Sequence, residues 1–203
     1  SRLSISSDLQ GITSRHIPEP FLKTAAQKVP LLVRTNLGGE KSWLRVKYGD
    51  QYHSLMALKD DQLIAGEVVV GRAQPAPRAL PEGLWLRGSL AEIDALRWQQ
   101  FLDNLFPNTV NDSGRPQIDP LLRSVDLFAE KLLLGDTVLA NVGAKLEPLD
   151  SAWQLNIVSP AIMATVLLPT DQQPYQANVD YIRLPAPSSE EAPSPVQSPD
   201  PLA

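Results

Sequence analysis

Few residues of the sequence have the types and spacing that catalysis requires. Nucleophilic catalysis needs a base beside the nucleophile, and only His16 and His53 are available for that role. His53 lies inside an alternating strand pattern, and neither histidine accompanies a Gly-x-Ser-x-Gly turn. The chain has no cysteine, which excludes disulfides, thiolate zinc sites, iron–sulfur clusters and cysteine nucleophiles. We therefore interpret both histidines as ordinary strand or loop residues.

The acidic pairs and the glycine pair are better explained as turns or linker than as ligand sites. Asp60-Asp61 is typical of a hairpin turn, Gly38-Gly39 of a turn between strands, and Glu190-Glu191 lies in a proline-rich tail. We expect no metal, no cofactor and no enzymatic activity. A carbohydrate-active β-domain remains an alternative, because its two carboxylates can be distant in the chain. Its sign would be a carboxylate pair about 5–10 Å apart in an aromatic-lined cleft.

The charge and hydropathy of the sequence argue against nucleic acid as a partner and against a membrane-spanning segment. The net charge is −5 and the pI about 5.0, and Lys and Arg do not cluster along the sequence, so we expect no nucleic-acid binding. No run of 18 apolar residues is present to span a membrane, and no signal peptide precedes the first strand pattern. We expect the chain to be a segment of a longer protein.

The strongest local pattern is a β-hairpin over residues 41–59. Leu44, Val46 and Tyr48 alternate with Trp43, Arg45 and Lys47 before the turn at Gly49-Asp50-Gln51, and Tyr52, Met56 and Leu58 alternate after it. A three-residue loop at 49–51 places Tyr48 opposite Tyr52 and Leu44 opposite Met56, with Val46 opposite Ser54. This register gathers the apolar side chains on one face.

The remaining elements follow from turn signals and periodicity. Apolar residues at helical spacing predict one helix at about 91–106, ended by Pro107, with a loop over 108–120. Strands at this spacing favour an antiparallel sheet; we predict them at residues 3–6, 62–70, 84–90, 122–134, 137–147, 152–158, 161–168 and 175–184. Residues 71–83 form a proline-interrupted connection, and residues 185–203, with six prolines, form a linker after a body of 1–184.

Apolar surface is the remaining functional signal. The strand at 161–168 is apolar on both faces, so it either fills a sandwich core or offers one face to a ligand. Four tryptophans fit either interpretation. From the residues alone, the chain is a mainly β protein with more apolar surface than one face of a sheet requires.

Short motifs in a fixed order resemble the YhdP proteins, which are large AsmA-like envelope proteins of Gram-negative bacteria. The resemblance covers residues 1–185 and rests on SDLQG at 7–11, IPEPF at 17–21 followed by Lys23, PLL at 30–32, LPEGLWLRGSL at 80–90 followed by Trp98, WQL at 153–155 with SP at 159–160, and VDYIRLP at 179–185.

The resemblance implies a fold and a function. AsmA-like proteins form long curved β-sheets with an apolar inner surface, are anchored in the inner membrane, cross the periplasm and are implicated in phospholipid transport to the outer membrane. We therefore predict a mainly β, antiparallel, curved sheet forming an open apolar groove (β-taco-like). Passive binding of acyl chains fits such a groove, since each CH₂ exposed to water costs about 0.8 kcal/mol.

The alternating apolar residues supply candidate groove-lining positions. We predict that phospholipid acyl chains contact Leu44, Val46, Tyr48, Tyr52, Met56, Leu58, Trp153, Leu155 and Ile157. The other expected partners are neighbouring segments of the same parent chain and, through an anchor outside this segment, the inner membrane. The alternative is a structural or adaptor module of the cell envelope that binds proteins, whose sign would be a closed sandwich without an apolar opening.

Overall fold

A computed structural model of the chain describes residues 2–14, 17–36, 40–60, 62–71, 80, 82–105, 120–170 and 173–183. These residues form eleven strands and one helix, as the sequence predicts for a mainly β protein. In chain order the elements are β1 (Arg2–Ser7), β2 (Leu31–Asn36), β3 (Lys41–Tyr48), β4 (Tyr52–Lys59), β5 (Gln62–Gly71), β6 (Gly83–Asp94), α1 (Ala95–Leu105), β7 (Leu122–Leu134), β8 (Thr137–Pro148), β9 (Ala152–Val158), β10 (Ile162–Pro169) and β11 (Gln176–Ile182).

All eleven strands belong to one sheet in which the spatial order is the sequence order. Within the described residues β1 and β11 each pair on one side only, so they are the two edges of an open sheet. At about 4.8 Å between neighbouring strands, the sheet is about 48 Å wide. No second sheet is present in the described part of the chain.

The predicted hairpin is confirmed in its register. Tyr48 pairs with Tyr52, and the two strands continue through Val46 opposite Ser54 to Leu44 opposite Met56. Gly49 has φ +53°, a conformation that glycine adopts without steric cost, which is why the chain reverses here. Local alternation and turn chemistry thus determine this part of the fold.

The expectation of a purely antiparallel sheet is wrong at two of its ten strand pairs. β5 and β6 are parallel, and so are β6 and β7. Parallel neighbours require a connection that returns the chain to the same end of the sheet. Turn signals in the sequence do not give strand direction, so the local pattern did not reveal these two parallel pairs.

The helix begins four residues later than predicted. Residues 91–94 continue β6, where Glu92 pairs with Lys131 and Ile93 with Leu132 on the long strand β7. The Asp94 side chain accepts a hydrogen bond from the Arg97 backbone N–H at 3.0 Å, which caps the first turn. Pairing with β7 therefore overrides the helical periodicity until this cap. Phe106, the last residue of the predicted helix, lies outside the described residues.

The parallel junction of β5 and β6 depends on close backbone approach. Gly88 faces Val70 in the register, and a Cβ at Gly88 would lie 2.5 Å from the Val70 carbonyl oxygen. Gly71, at φ +71°, would direct a Cβ into the Ser89 backbone. Both positions require glycine, one for space and the other also for conformation.

Most remaining predictions of strand position are confirmed to within a few residues. The sequence prediction from local pattern did not include β2, which entered only through the PLL motif at 30–32. Most of the loop at 108–120, most of the connection at 71–83, and the boundary at 184 with the linker at 185–203 lie outside the described residues.

Candidate functional site

The strand register divides the sheet into two faces of different chemistry. Side chains alternate between faces along a strand, and directly paired residues on neighbouring strands share a face. An unbroken row of direct partners therefore crosses all eleven strands on one side. In order, it consists of Ile5, Val33, Val46, Ser54, Val68, Leu86, Val125, Leu146, Leu155, Val166 and Ala177.

A second row on the same side runs parallel to the first, two residues along each strand. It consists of Ser7, Leu31, Tyr48, Tyr52, Val70, Gly88, Leu127, Ala144, Ile157, Ala164 and Val179. Neither row contains a charged residue. We call the surface that carries these two rows the apolar face.

The row between them points to the other side and is mainly polar. It consists of Ser6, Leu32, Lys47, His53, Val69, Arg87, Asp126, Lys145, Asn156, Thr165 and Asn178. We call this side the polar face. In strands β2, β3, β7 and β8, a slip of one residue would move a charged side chain onto the apolar face. The burial of apolar side chains on that face therefore favours the observed register.

All nine predicted lining residues lie on the apolar face. Eight of them are half-buried, and Trp153 is buried at 8% exposure. A side chain in a closed sandwich core would be almost fully covered, whereas the eight half-buried residues keep part of their surface accessible. The structure thus brings the residues of β3, β4 and β9 onto one surface, although five strands separate β3 from β9.

One end of the apolar face is covered by an aromatic cluster. The Phe21 ring lies 6.3 Å from the Tyr48 and Tyr52 rings and 6.1 Å from the Trp98 ring, centroid to centroid. Trp98 in turn packs edge-on against Phe101 at 6.0 Å. Burial raises the pKa of the Tyr48 phenol above its ordinary value of 10.0. Tyr48 and Tyr52 are therefore partly covered by an aromatic side chain from outside the sheet.

The loop that carries Phe21 is held by a buried lysine. Lys23 is 2% exposed, and its ammonium group donates hydrogen bonds to the Ile12 carbonyl at 2.7 Å and the Thr24 carbonyl at 3.0 Å. The Ser14 hydroxyl accepts a hydrogen bond from the Lys23 backbone N–H at 2.7 Å and donates one to the Phe21 carbonyl at 3.0 Å. These bonds fix the loop between β1 and β2, and hence the position of the Phe21 ring. Sequence reasoning matched Lys23 only as part of a motif and gave it no role.

The polar side chains of the described residues do not gather into a metal site. Among the described residues, no group of three or more His, Asp or Glu side chains is arranged to hold a metal ion. His53 is half-buried on the polar face, between Lys47 and Val69 in the pairing, and His16 lies outside the described residues. No helix in the described part of the chain has the length and hydrophobicity needed to cross a membrane.

Comparison with known proteins confirms the resemblance found in the motifs. A family model described as YhdP protein matches residues 1–202, almost the full length of the chain. No curated protein and no solved structure gives a significant match.

Proposed function

The chain belongs to the YhdP family of AsmA-like envelope proteins, and we propose that it is a segment of a lipid-transport protein. In this proposal, phospholipid acyl chains bind passively along the apolar face and move between the inner and outer membranes without a chemical step. The observation that carries the proposal is the row from Ile5 to Ala177, which is apolar at every position except Ser54 and crosses the whole sheet.

The energetics of the apolar face favour an apolar ligand. Burial of apolar surface contributes about 25 cal/mol of free energy per Å². Many side chains of this face are only half-buried, so a ligand that covers them gains further burial free energy. An acyl chain that lies along the sheet would cover these side chains. Its own removal from water would contribute about 0.8 kcal/mol of binding free energy per CH₂. The two rows cross about 48 Å of sheet without a charged residue and offer positions of similar free energy, which suits sliding more than fixed binding.

The two open edges of the sheet are consistent with a chain that forms part of a longer sheet. The backbone groups of β1 and β11 on their outer sides have no strand partner among the described residues, and such edges readily pair with further strands. We propose that neighbouring segments of the same parent chain pair there and extend the apolar face as a curved groove through the periplasm. In this proposal an anchor elsewhere in the parent holds the assembly at the inner membrane.

The test compares two adjacent residues that point to opposite faces. Ile157 lies on the apolar face, whereas Val158 lies on the polar face and is 49% exposed. The full 203-residue chain is purified from bacterial periplasm without detergent, and bound lipid is measured by native mass spectrometry and lipid extraction. We expect co-purified phospholipid in the unmodified chain and in Val158→Asp, and its loss in Ile157→Asp. The pair Ile157→Thr and Val158→Thr repeats the comparison with a residue that favours strands.

Two outcomes would contradict lipid transport. One is a folded chain without bound phospholipid, and the other is equal lipid loss in both members of the threonine pair. The chain would then be assigned to the alternative, a structural or adaptor module of the envelope that binds proteins. Circular dichroism on every variant distinguishes loss of lipid from loss of fold.

A further inference from the structure

The first four strands carry a positive charge that opposes the charge of the whole chain. The net charge is −5, yet β1–β4 contain six lysine or arginine residues and no aspartate or glutamate. The register places all six on the polar face. We call this set the basic patch, and it consists of Arg2, Arg34, Lys41, Arg45, Lys47 and Lys59.

Two arginines of the basic patch are neighbours on adjacent strands. Arg34 and Arg45 are direct partners across β2 and β3, an arrangement in which like charges are destabilising. Within the described part of the chain, neither forms an ion pair with a carboxylate. Arg2 follows on the same face of β1, two residues from the partner of Arg34. The fold thus maintains an unneutralised group of three guanidinium ions.

These three arginines line a pocket that also has apolar walls. The pocket has a volume of about 720 Å³, and Trp43, Leu55 and Leu80 contribute to its lining. Guanidinium groups bind phosphate oxygens through paired hydrogen bonds, and an indole beside them packs against carbon atoms. The pocket therefore combines recognition of a phosphate with contact to an adjoining apolar group.

We propose that this pocket on the polar face binds a phosphate ester, with Arg34 and Arg45 holding the phosphate and Trp43 contacting its organic part. The site lies on the opposite side of the sheet from the apolar face and does not depend on the proposed acyl-chain binding. The phosphate ester is either a free organophosphate or the headgroup of an anionic phospholipid, which share this chemistry.

The experiment measures binding of the full chain to three probes. Inorganic phosphate and glycerol 3-phosphate are titrated by calorimetry, and vesicles of phosphatidylglycerol are compared with vesicles of phosphatidylcholine by co-sedimentation. Saturable binding of glycerol 3-phosphate that displaces the chain from phosphatidylglycerol vesicles identifies a free organophosphate site. Binding to phosphatidylglycerol vesicles alone identifies a lipid headgroup site.

Variants separate the pocket from general attraction between charges. We expect Arg34→Gln and Arg45→Gln each to weaken binding at least tenfold. Lys59→Gln removes a charge of the same patch outside the pocket, and Arg123→Gln removes one on β7, so both should retain binding within about twofold. Thermal stability of the Arg34→Gln variant should be unchanged or higher, because a like-charge pair is removed.

The proposal is overturned by either of two results. One is the absence of binding to all phosphate-bearing probes. The other is an equal loss of affinity in Arg34→Gln and Lys59→Gln, which would mean a diffuse electrostatic attraction without a pocket.

Discussion

The Phe21 ring packs edge-on against the Trp98 indole, with ring centroids 6.1 Å apart and planes at 80°. Phe21 belongs to the loop between β1 and β2, and Trp98 to helix α1, so this contact joins two segments that lie outside the sheet. Because Phe21 also contacts Tyr48 and Tyr52, the pair covers the hairpin end of the apolar face. The apolar face therefore has one end contacted by the chain's own aromatic residues.

Truncation of Phe21 should remove the ring contacts that cover this end of the apolar face. We expect Phe21→Ala to lower the free energy of unfolding by about 2 kcal/mol, because a half-buried ring loses contacts with three aromatic partners. The neighbouring Leu22 is 42% exposed, and Leu22→Ala should cost less than about 1 kcal/mol. Urea unfolding followed by tryptophan fluorescence gives both values. Equal losses would show that the ring contacts contribute no specific stability.

The buried lysine should be a structural requirement of the same loop. Lys23→Met keeps most of the side-chain volume but removes the ammonium donor, which leaves the Ile12 and Thr24 carbonyls without this partner. We expect a loss of about 2–3 kcal/mol in unfolding free energy. Lys28→Met is the control, since Lys28 is exposed and lies 3.9 Å from Asp8, and it should change stability by about 0.5 kcal/mol or less. A tolerated Lys23→Met would contradict this role.

Two strand glycines should respond differently to the same substitution. A Cβ at Gly88 would lie 2.5 Å from the Val70 carbonyl oxygen, whereas a Cβ at Gly143 would meet the Val158 carbonyl oxygen at an ordinary 3.7 Å. We expect Gly88→Ala to destabilise the fold by about 2 kcal/mol or more. Gly143→Ala should be neutral or stabilising by up to about 1 kcal/mol. Thermal unfolding of the two variants checks this, and similar melting temperatures would mean that the parallel junction tolerates a wider strand separation.

The Tyr48 phenol should link stability to alkaline pH. Burial raises its pKa in the folded state above the 10.0 of an exposed tyrosine, so the unfolded chain loses this proton first as pH rises. The contribution of Tyr48 to stability is therefore complete below about pH 10 and is lost as pH rises through the folded-state pKa. We expect Tyr48→Phe to show a smaller fall in unfolding free energy between about pH 9 and about pH 11. If the unfolding free energy falls equally in Tyr48→Phe and in the unmodified chain, groups other than Tyr48 cause the loss of stability at alkaline pH.

Local sequence patterns determined the hairpin and most strand positions. In residues 41–59, alternation and the Gly49 turn leave one register that collects the apolar side chains, and the structure has that register. The same alternation, read in β9, places Trp153, Leu155 and Ile157 on one face. A period of two along the chain and a turn within it are short-range properties, which is why the sequence alone was sufficient here.

Strand direction and the length of β6 were decided by tertiary pairing. The parallel pairs on both sides of β6 depend on where its neighbours lie, and the helical periodicity after Leu90 was overridden because β7 offers backbone partners as far as Asp94. Long-range backbone pairing leaves no local signal in the chain.

The sequence by itself determined a mainly β chain, the register of its 41–59 hairpin and its family. Only the tertiary structure decided which side chains share a surface across strands. Arg34 and Arg45 are separated along the chain by ten residues, and no basic cluster is visible there, but antiparallel pairing sets them side by side. Phe21 and Trp98 meet for the same reason, because contacts between distant segments arise from the path of the whole chain, which its local periodicity does not encode.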